Sequence, residues 1–399
     1  MSNRRTIVLS ASSISTFKAC PYRYFLRYVK GFVPIEEKTA LRYGSAWHRV
    51  LEILSMQPGD VCPDCAKTQP NKDCPICQGT DAIPTDPMTA ASRALTAVYV
   101  EKVGMDPERA ELEQVQILYA ATMYRHLYAD QAIPVVEREI RFRLPLTGHG
   151  GRALPDVRVD GMIDKLVQPG ESLSVMEHKS TSKGVEADST FWSHLALDTQ
   201  THMYPWAASQ ITGRPVRGVF YDAFHKPGIS PKTLTQALSA EFVASGEYCG
   251  QKFDVATCGN VTVNGVPAAC EPGKKEGTFA IKETAQMYGA RLMQDIAERP
   301  EFYFARREIA RTDADIARFE KQLLNIYHTM RSMERDDAWY QNESQCEATF
   351  KCDFCNLCYN NAVITDEIPE GFKSLFTKEI PDADATTDAT EKNSTSAAE

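Results

Sequence analysis

The feature that most constrains the fold is a series of three short segments in which apolar and polar side chains alternate. They cover residues 135–144, 157–167 and 173–179, with Gly and Pro between them. Alternation with a period of two places the apolar side chains on one face of a strand. Short connections that contain Gly or Pro join neighbouring antiparallel strands. The sequence therefore predicts a three-stranded meander.

Helical periodicity of apolar residues flanks this meander on both sides. It predicts helices over residues 13–31, 40–56, 88–103, 109–128, 192–211, 280–298 and 312–335. A further strand is predicted over residues 216–224, after the helix at 192–211. Strands and helices that alternate in this way are typical of an α/β or α+β core.

Pattern and composition divide the chain into six segments. They are residues 1–56 (N-terminal helices), 57–87 (an insertion), 88–226 (the core), 227–275 (an irregular insertion), 276–378 (a helical region with a cysteine-rich C-terminal part) and 379–399 (an acidic tail). Periodicity stops in the first insertion, which is rich in Cys, Pro, Asp and Gly, so we expect it to fold around metal rather than an apolar core. The Asp-, Thr-, Ala- and Ser-rich tail is expected to be disordered.

Charge and hydropathy limit the function classes. The net charge of −9 argues against a protein that coats nucleic acid indiscriminately, but residues 1–50 hold nine Lys or Arg against two Glu. A local basic surface can still approach a polyanion. No run of about 18 apolar residues occurs, and serines interrupt the first apolar run, so we expect neither a membrane span nor an export signal. The predicted location is the cytoplasm, or the host cytoplasm for a phage-encoded protein.

Two carboxylates and one ammonium group occur at the ends of the predicted meander strands. Asp164 ends Gly-Met-Ile-Asp, and Glu177 and Lys179 lie two residues apart on the next strand. Residues two apart share a face, so Glu177 and Lys179 project to the same side of the sheet. Carboxylate oxygens bind hard cations such as Mg²⁺, which leave positions open for phosphate and acidify bound water. Lys179 is then placed to position or deprotonate that water.

Helical segments supply the other candidates. Gln200 and Tyr204 lie four apart on one helix face and could hold Lys179 or a phosphate oxygen. His48, after Gly44, could complete the metal shell, and Glu52 on the same face is a weaker candidate. Each residue alone is more often an ordinary surface or core side chain. Their joint occurrence in this order favours a site for phosphodiester hydrolysis.

Twelve cysteines in a chain without an expected export signal indicate metal ligands rather than disulfides. Cys62, Cys65, Cys74 and Cys77 form two Cys-x2-Cys knuckles separated by eight residues. This spacing is typical of a tetrahedral zinc site. The zinc insertion could contact DNA or a partner, or only hold a loop in place.

Together these segments resemble the RecB-type branch of the PD-(D/E)XK nuclease superfamily, which also includes nucleases of CRISPR adaptation. The resemblance is carried by His48 after Gly-Ser-Ala-Trp, Gly-Met-Ile-Asp164, Glu177-His-Lys179, Gln200 with Tyr204, and residues 12–24. It implies a restriction-endonuclease-like core with a central mixed sheet flanked by helices. It also implies binding of Mg²⁺ or Mn²⁺ by His48, Asp164 and Glu177, catalysis by Lys179, support by Gln200 and Tyr204, and DNA contact by Lys226.

A second cysteine group looks like the iron-sulfur segment of that branch. The resemblance implies a 4Fe-4S cluster held by Cys20, Cys346, Cys352 and Cys358. Thiolates are the ligands that such clusters need. Cys355 could replace Cys346, and structural zinc is the alternative metal. Cys249, Cys258 and Cys270 lack knuckle spacing, and we expect them to be free thiols.

Two hypotheses follow for the function. The first is a Mg²⁺- or Mn²⁺-dependent deoxyribonuclease, specifically an exonuclease acting on ends of linear DNA in bacterial or bacteriophage recombination, repair or DNA processing. The chain has no Gly-x4-Gly-Lys-Ser/Thr phosphate loop, so a helicase or recombination protein would be a separate partner. The second is a non-catalytic nucleic-acid-binding or assembly protein with structural metal clusters.

Overall fold

A computed structural model describes residues 5–35, 39–66, 71–100, 106–257, 260–348 and 351–376. The predicted acidic tail and Cys258 lie outside these residues. The chain forms two compact units. Unit 1 comprises Met1–Ala11 and Lys38–Met330, and unit 2 comprises Ser12–Glu37 and Arg331–Glu399.

The helices are α1 Ala11–Ala19, α2 Pro21–Tyr24, α3 Thr39–Leu54, α4 Pro87–Val100, α5 Pro107–Leu127, α6 Thr190–Leu195, α7 Gln200–Thr212, α8 Gln236–Ser245, α9 Ala285–Glu298, α10 Pro300–Tyr303, α11 Asp313–Asp336 and α12 Cys355–Tyr359. The strands are β1 Ile7–Leu9, β2 Phe32–Pro34, β3 Val135–Thr147, β4 Ala153–Val167, β5 Ser174–Thr181, β6 Gly218–His225, β7 Glu247–Tyr248, β8 Gln251–Lys252, β9 Val255–Ala256, β10 Thr262–Val263, β11 Val266–Pro267, β12 Cys270–Pro272, β13 Phe279–Ile281, β14 Phe304–Ala310 and β15 Phe372–Ser374.

A mixed six-stranded sheet forms the centre of unit 1. Its order is β1-β4-β5-β6-β14, and β3 also pairs with β4. The pairs β3–β4 and β4–β5 are antiparallel, so the predicted meander is confirmed. Strands β5 and β6 run parallel, with α6 and α7 in the crossover. Strands β1 and β14, which the sequence pattern did not predict, complete the sheet.

Helices flank this sheet, as the mixed α/β prediction requires. Trp47 of α3 stacks on Phe224 of β6 with ring centroids 4.3 Å apart. Tyr204 of α7 meets Phe142 of β3 edge to face, with centroids 6.0 Å apart. Aromatic pairs at these distances add stabilisation to the area that the two side chains bury. These two aromatic pairs hold α3 and α7 against the central sheet.

The single helix predicted over 192–211 is wrong, because the chain forms α6 and α7 with a break between them. At the break, the Asp198 side chain accepts a hydrogen bond from the backbone nitrogen of Gln200 at 2.7 Å. A short carboxylate that binds backbone nitrogens starts a new helix rather than continuing an old one. Gln200 is therefore the first residue of α7.

The segment 227–275, predicted to be irregular, contains secondary structure. Thr235 caps α8 by accepting a hydrogen bond from the Leu238 nitrogen at 3.2 Å. Short antiparallel pairs link β7 to β8, β9 to β10, and β10 to β11. Phe242 and Val263 pack in a small apolar core with Met287 at the start of α9.

Unit 2 begins with the segment predicted as one helix over 13–31. That prediction is wrong, because α1 ends at Ala19 and α2 starts at Pro21. Pro21 has no backbone N–H to continue the helical ladder, and Cys20 before it is extended. The chain then forms a π-helical turn at Phe25–Val29, and β2 pairs with β15. No helix in the described parts of the chain is long and apolar enough to cross a membrane.

Candidate active site

A cleft of about 840 Å³ in unit 1 brings together six residues that the sequence predicts for the site. They are His48, Asp164, Glu177, Lys179, Gln200 and Tyr204. They come from α3, β4, β5 and α7, which are far apart in the chain. Their roles stay predictions, but their placement makes one chemical site possible.

Asp164 is the best-anchored carboxylate of the cleft. One of its oxygens lies 3.1 Å from His48 Nδ1 and accepts a hydrogen bond from the His178 backbone nitrogen at 2.9 Å. Burial alone would raise the pKa of Asp164, but the hydrogen bond and charge of His48 outweigh it and lower that pKa. Asp164 is therefore held as a carboxylate in a fixed orientation.

Glu177 lies beside Asp164 and is fully enclosed. It accepts a hydrogen bond from the Asp164 backbone nitrogen at 3.3 Å. Burial, followed by the negative charge of Asp164, raises the pKa of Glu177 well above its ordinary value. Two adjacent buried carboxylates with an imidazole at their edge are an oxygen-rich donor set that a divalent cation would neutralise. The donor types present therefore suit a hard metal ion.

Lys179 is oriented by a chain of polar groups on α7. Its ammonium group donates to Gln200 Oε1, and Gln200 Nε2 donates to the Tyr204 hydroxyl at 2.9 Å. Burial, followed by the charge of Glu177, raises the pKa of Tyr204, so this hydroxyl stays neutral. The amide can make both bonds at once because it carries a donor and an acceptor. Lys179 is thereby held at the cleft beside Glu177.

A comparison with known protein families identifies the family of this chain. The sequence matches the model of the PD-(D/E)XK nuclease superfamily over residues 8–359, nearly the whole chain. The chain belongs to the PD-(D/E)XK nuclease superfamily. A metal-dependent nuclease is the activity that this membership implies. No curated protein matches the chain.

Behind β5, this nuclease has a buried polar layer that the sequence did not predict. His178 points away from Glu177 and Lys179, and its Nε2 lies 2.9 Å from Lys165 Nζ. Burial, followed by the charge of Lys165, lowers the pKa of His178 well below its ordinary value. Burial lowers the pKa of Lys165 to about 8. His178 Nδ1 lies 3.5 Å from Asp222 Oδ2.

Three further cleft residues were also not predicted for the site. Glu139 lies on β3 with a φ of +49°, and the pairing with β4 skips it. Arg49 follows His48 on α3, and Asp64 belongs to the first cysteine knuckle. Sequence spacing could not connect these residues to the site, because only the packed fold places them at the cleft. Glu52, the weaker candidate, lines the cleft as well.

The four knuckle cysteines of this nuclease form one compact group. Their sulfur atoms all lie within 4.8 Å of one another. Cys62 and Cys74 are 3.6 Å apart, and Cys65 and Cys77 are 3.5 Å apart. Zinc bound tetrahedrally at about 2.3 Å from each thiolate would space the sulfurs about 3.8 Å apart. The cysteines therefore fit a single tetrahedral ion.

The expectation that the insertion folds without an apolar core is wrong. Its four cysteines pack in the same buried cluster as Trp47 and Leu51 of α3 and Leu95 of α4. Ile76 and Ile83 of the insertion are also buried in that cluster. The cysteine group is therefore an internal part of unit 1, and its ligands are fixed by the core around them.

The second cysteine group lines a cavity of about 230 Å³ in unit 2. Cys20, Cys346, Cys352, Cys355 and Cys358 all line it. Cys20 Sγ accepts a hydrogen bond from the Asn342 backbone nitrogen at 3.4 Å. Burial, followed by the charges of the neighbouring Cys352, Cys20 and Cys346, raises the pKa of Cys358 to about 11. The five thiols therefore surround one small enclosed space.

The remaining predicted residues that the structure describes are not among those that line the cleft or the cysteine cavity. Lys226 follows β6, and its ammonium group lies 4.6 Å from the centre of the Tyr43 ring. Cys249 and Cys270 carry free thiols, the first half-buried and the second exposed.

Proposed function

We propose that this nuclease is an exonuclease of the RecB-type branch, which uses Mg²⁺ or Mn²⁺ to cleave linear DNA from its ends. Its setting is recombination, repair or processing of bacterial or bacteriophage DNA. One observation carries the proposal: His48, Asp164 and Glu177 meet in a cleft that Lys179 also lines. A binding protein would not need the full set of two carboxylates, imidazole and ammonium in one cleft.

His48, Asp164 and Glu177 would hold the divalent cation, which polarises the scissile phosphate and acidifies water when bound. His48 and the His178 backbone nitrogen orient Asp164 before a cation arrives. Such preorganisation lowers the cost of assembling the site for the reaction. Lys179 positions the attacking water, or deprotonates it when its side chain is a neutral amine, and its hydrogen bond to Gln200 keeps Nζ directed at the cleft.

We assign zinc to the four knuckle cysteines and a 4Fe-4S cluster to Cys20, Cys346, Cys352 and Cys358. The sulfur spacing supports a single ion in the first group. In the second group, the Cys355 thiol donates to the Cys346 carbonyl oxygen at 3.3 Å. This contact gives Cys355 a backbone partner other than a cluster, which favours Cys346 as the ligand and Cys355 as the spare residue.

DNA is the proposed partner, and Lys226 contacts it beyond the catalytic cleft. A separate helicase or recombination protein supplies the ends, because this chain carries no phosphate loop of its own. The local excess of basic residues in the first 50 positions supports an encounter with DNA despite the net negative charge.

Digestion of linear DNA by the wild type and by Lys179→Ala tests the activity. We expect the wild type to degrade the DNA only when Mg²⁺ or Mn²⁺ is added, and Lys179→Ala to lose at least a hundredfold in rate. Lys252→Ala is the matched control, because Lys252 is an exposed lysine of β8 paired with Glu247. The control should cut like the wild type.

Closed circular DNA in the same assay tests the requirement for ends. An exonuclease leaves the circle intact until it is linearised. Cutting of the circle would contradict the exonuclease proposal and leave a metal-dependent endonuclease. If the wild type with intact metal clusters cuts neither form, the non-catalytic binding hypothesis replaces the proposed function.

A further inference from the structure

The cysteine insertion contributes to the wall of the catalytic cleft. Asp64 lies between Cys62 and Cys65, and Pro75 lies between Cys74 and Cys77. Both residues line the same cleft as Asp164 and Glu177. Each knuckle therefore places one side chain next to the site. An insertion that only closed a surface loop would have no need to reach this position.

Asp64 reaches an arginine of the helix that carries His48. The Nη2 atom of Arg49 donates to the Asp64 carboxylate, and its Nη1 atom donates to Glu52. The Arg49 side chain is 17% exposed, whereas that of Glu52 is 9% exposed. A guanidinium group is planar and has five N–H donors, so two carboxylates can fix its plane without using all of them. Asp64 and Glu52 thus hold Arg49 in one orientation.

The charge of the cleft shows why a fixed guanidinium group matters there. Five carboxylate residues line it: Glu52, Asp64, Glu139, Asp164 and Glu177. Arg49 and Lys179 are the Lys and Arg residues among those that line it. Lys179 is bonded to Gln200 beside the carboxylate pair. Arg49 has five N–H donors, of which Glu52 and Asp64 each accept one, so it can also donate to a second phosphate of a polyanionic chain.

We propose that Arg49 contacts a backbone phosphate next to the scissile one, and that Asp64 of the cysteine insertion is its positioning residue. This inference rests on the proposed function for the identity of the substrate. Arginine pairs with phosphate in a bidentate geometry, so the direction of its plane decides the strength of the contact. Asp64 lies in the first knuckle and sets the orientation of the Arg49 plane. A metal ion bound by the knuckle cysteines would therefore contribute to substrate binding.

Binding of a fluorescently labelled DNA duplex with a single-stranded overhang tests this proposal. The measurement is the Kd by anisotropy in Ca²⁺, over a series of salt concentrations. We expect Arg49→Gln to raise the Kd about tenfold or more, as for hydrogen bonds between charged groups. The slope of log Kd against log salt should fall by about one, as for the loss of one phosphate contact.

Asp64→Asn separates positioning from contact. It should raise the Kd about threefold in the wild type and have no further effect in an Arg49→Gln background, because a positioning residue acts only through its partner. Asp313→Asn is the matched control, since Asp313 forms an exposed pair with Arg217 outside the cleft-lining set. It should bind DNA like the wild type. Thermal unfolding of each variant shows whether the fold is retained.

The two proposals fail in different ways. If Arg49→Gln and Asp64→Asn lower the melting temperature but bind DNA like the wild type, the pair only fastens the insertion and the inference is overturned. Independent effects of the two substitutions on Kd would overturn the positioning role of Asp64. Cleavage of the same DNA by the wild type in Mn²⁺ tests the nuclease proposal separately. A wild type that binds through Arg49 and Asp64 without cutting would overturn the proposed function and leave the phosphate contact.

Discussion

At the scale of single residues, the metal binding that we propose for the cleft conflicts with the stability of the folded protein. Glu177 and Asp164 are adjacent buried carboxylates, and burial raises the pKa of Glu177 well above its ordinary 4.5. An acid with a raised folded pKa makes the protein less stable as pH rises from the unfolded pKa towards the folded one. The carboxylate pair that we propose for metal binding therefore destabilises the metal-free protein at neutral pH.

Glu177→Gln should remove this conflict. At pH 8 without added divalent metal, we expect the free energy of unfolding of the variant to exceed that of the wild type by about 1 kcal/mol. One unit of pKa shift corresponds to about 1.4 kcal/mol. Urea unfolding at several pH values measures it, and the gain should shrink towards pH 5. Calorimetric titration with Mn²⁺ should show that the variant has lost affinity. An equal or lower stability at pH 8 contradicts the prediction.

Glu139 allows a second test at this scale. Its φ of +49° lies in the left-handed region, which costs a residue with a side chain about 1 kcal/mol relative to glycine. Glu139→Gln removes the charge and keeps the backbone strain, whereas Glu139→Gly removes both. We expect the glycine variant to be more stable than the glutamine variant by about 0.5–1 kcal/mol in chemical unfolding. The reverse order would mean that the β3 backbone is not strained there.

At the scale of elements, the sequence pattern located strands better than helix boundaries. Alternation in the sequence identified β3, β4 and β5. Burial alternates along parts of β3 and β4, whereas the first five residues of β5 are all buried. Periodicity joined α1 to α2 and α6 to α7, because apolar spacing continues across each break. Pro21 and Asp198 start a second helix after each break. Strand β14 was missed because its central residues are charged and only partly buried.

The pairing of β3 with β4 depends on one glycine in the Gly-Met-Ile-Asp164 segment. A Cβ on Gly161 would lie 2.5 Å from the tip of the Phe142 ring, which also packs against Tyr204. We expect Gly161→Ala to destabilise the protein by about 1–3 kcal/mol, as overpacking in a full core does. Gly228→Ala is the control, because nothing lies within 4 Å of its added Cβ. Thermal unfolding compares the two, and equal melting temperatures would contradict the prediction.

At the scale of the whole molecule, the two segments of unit 2 come from opposite ends of the described chain. Strand β2 pairs with β15, and Cys20 lies with the later cysteines around one cavity. Closing so long a loop is entropically unfavourable, so a cluster bound to both segments would stabilise the unit. If the proposed ligands hold an iron-sulfur cluster, removing one of them should lower the stability of unit 2 as well as the visible absorbance of the protein.

Cys20→Ser and Cys355→Ser distinguish the ligand from the spare thiol. We expect Cys20→Ser to lose the visible absorbance of an iron-sulfur cluster and to unfold at a lower temperature. Cys355→Ser should keep the absorbance of the wild type, because its side chain donates to the Cys346 carbonyl instead. Iron and sulfide analysis of anaerobically purified protein provides the measurement. If Cys355→Ser loses its iron, Cys355 is a cluster ligand and not the spare thiol.

The sequence by itself determined the meander, the mixed α/β class, the knuckle spacing and six of the residues that line the cleft. These features depend on alternation, on short spacings and on motifs, which are local properties of a chain. Only the tertiary structure placed His178 against Lys165, brought Glu139 to the cleft and joined Asp64 to Arg49. Contacts between residues far apart in sequence depend on how elements pack, and no local pattern records that packing.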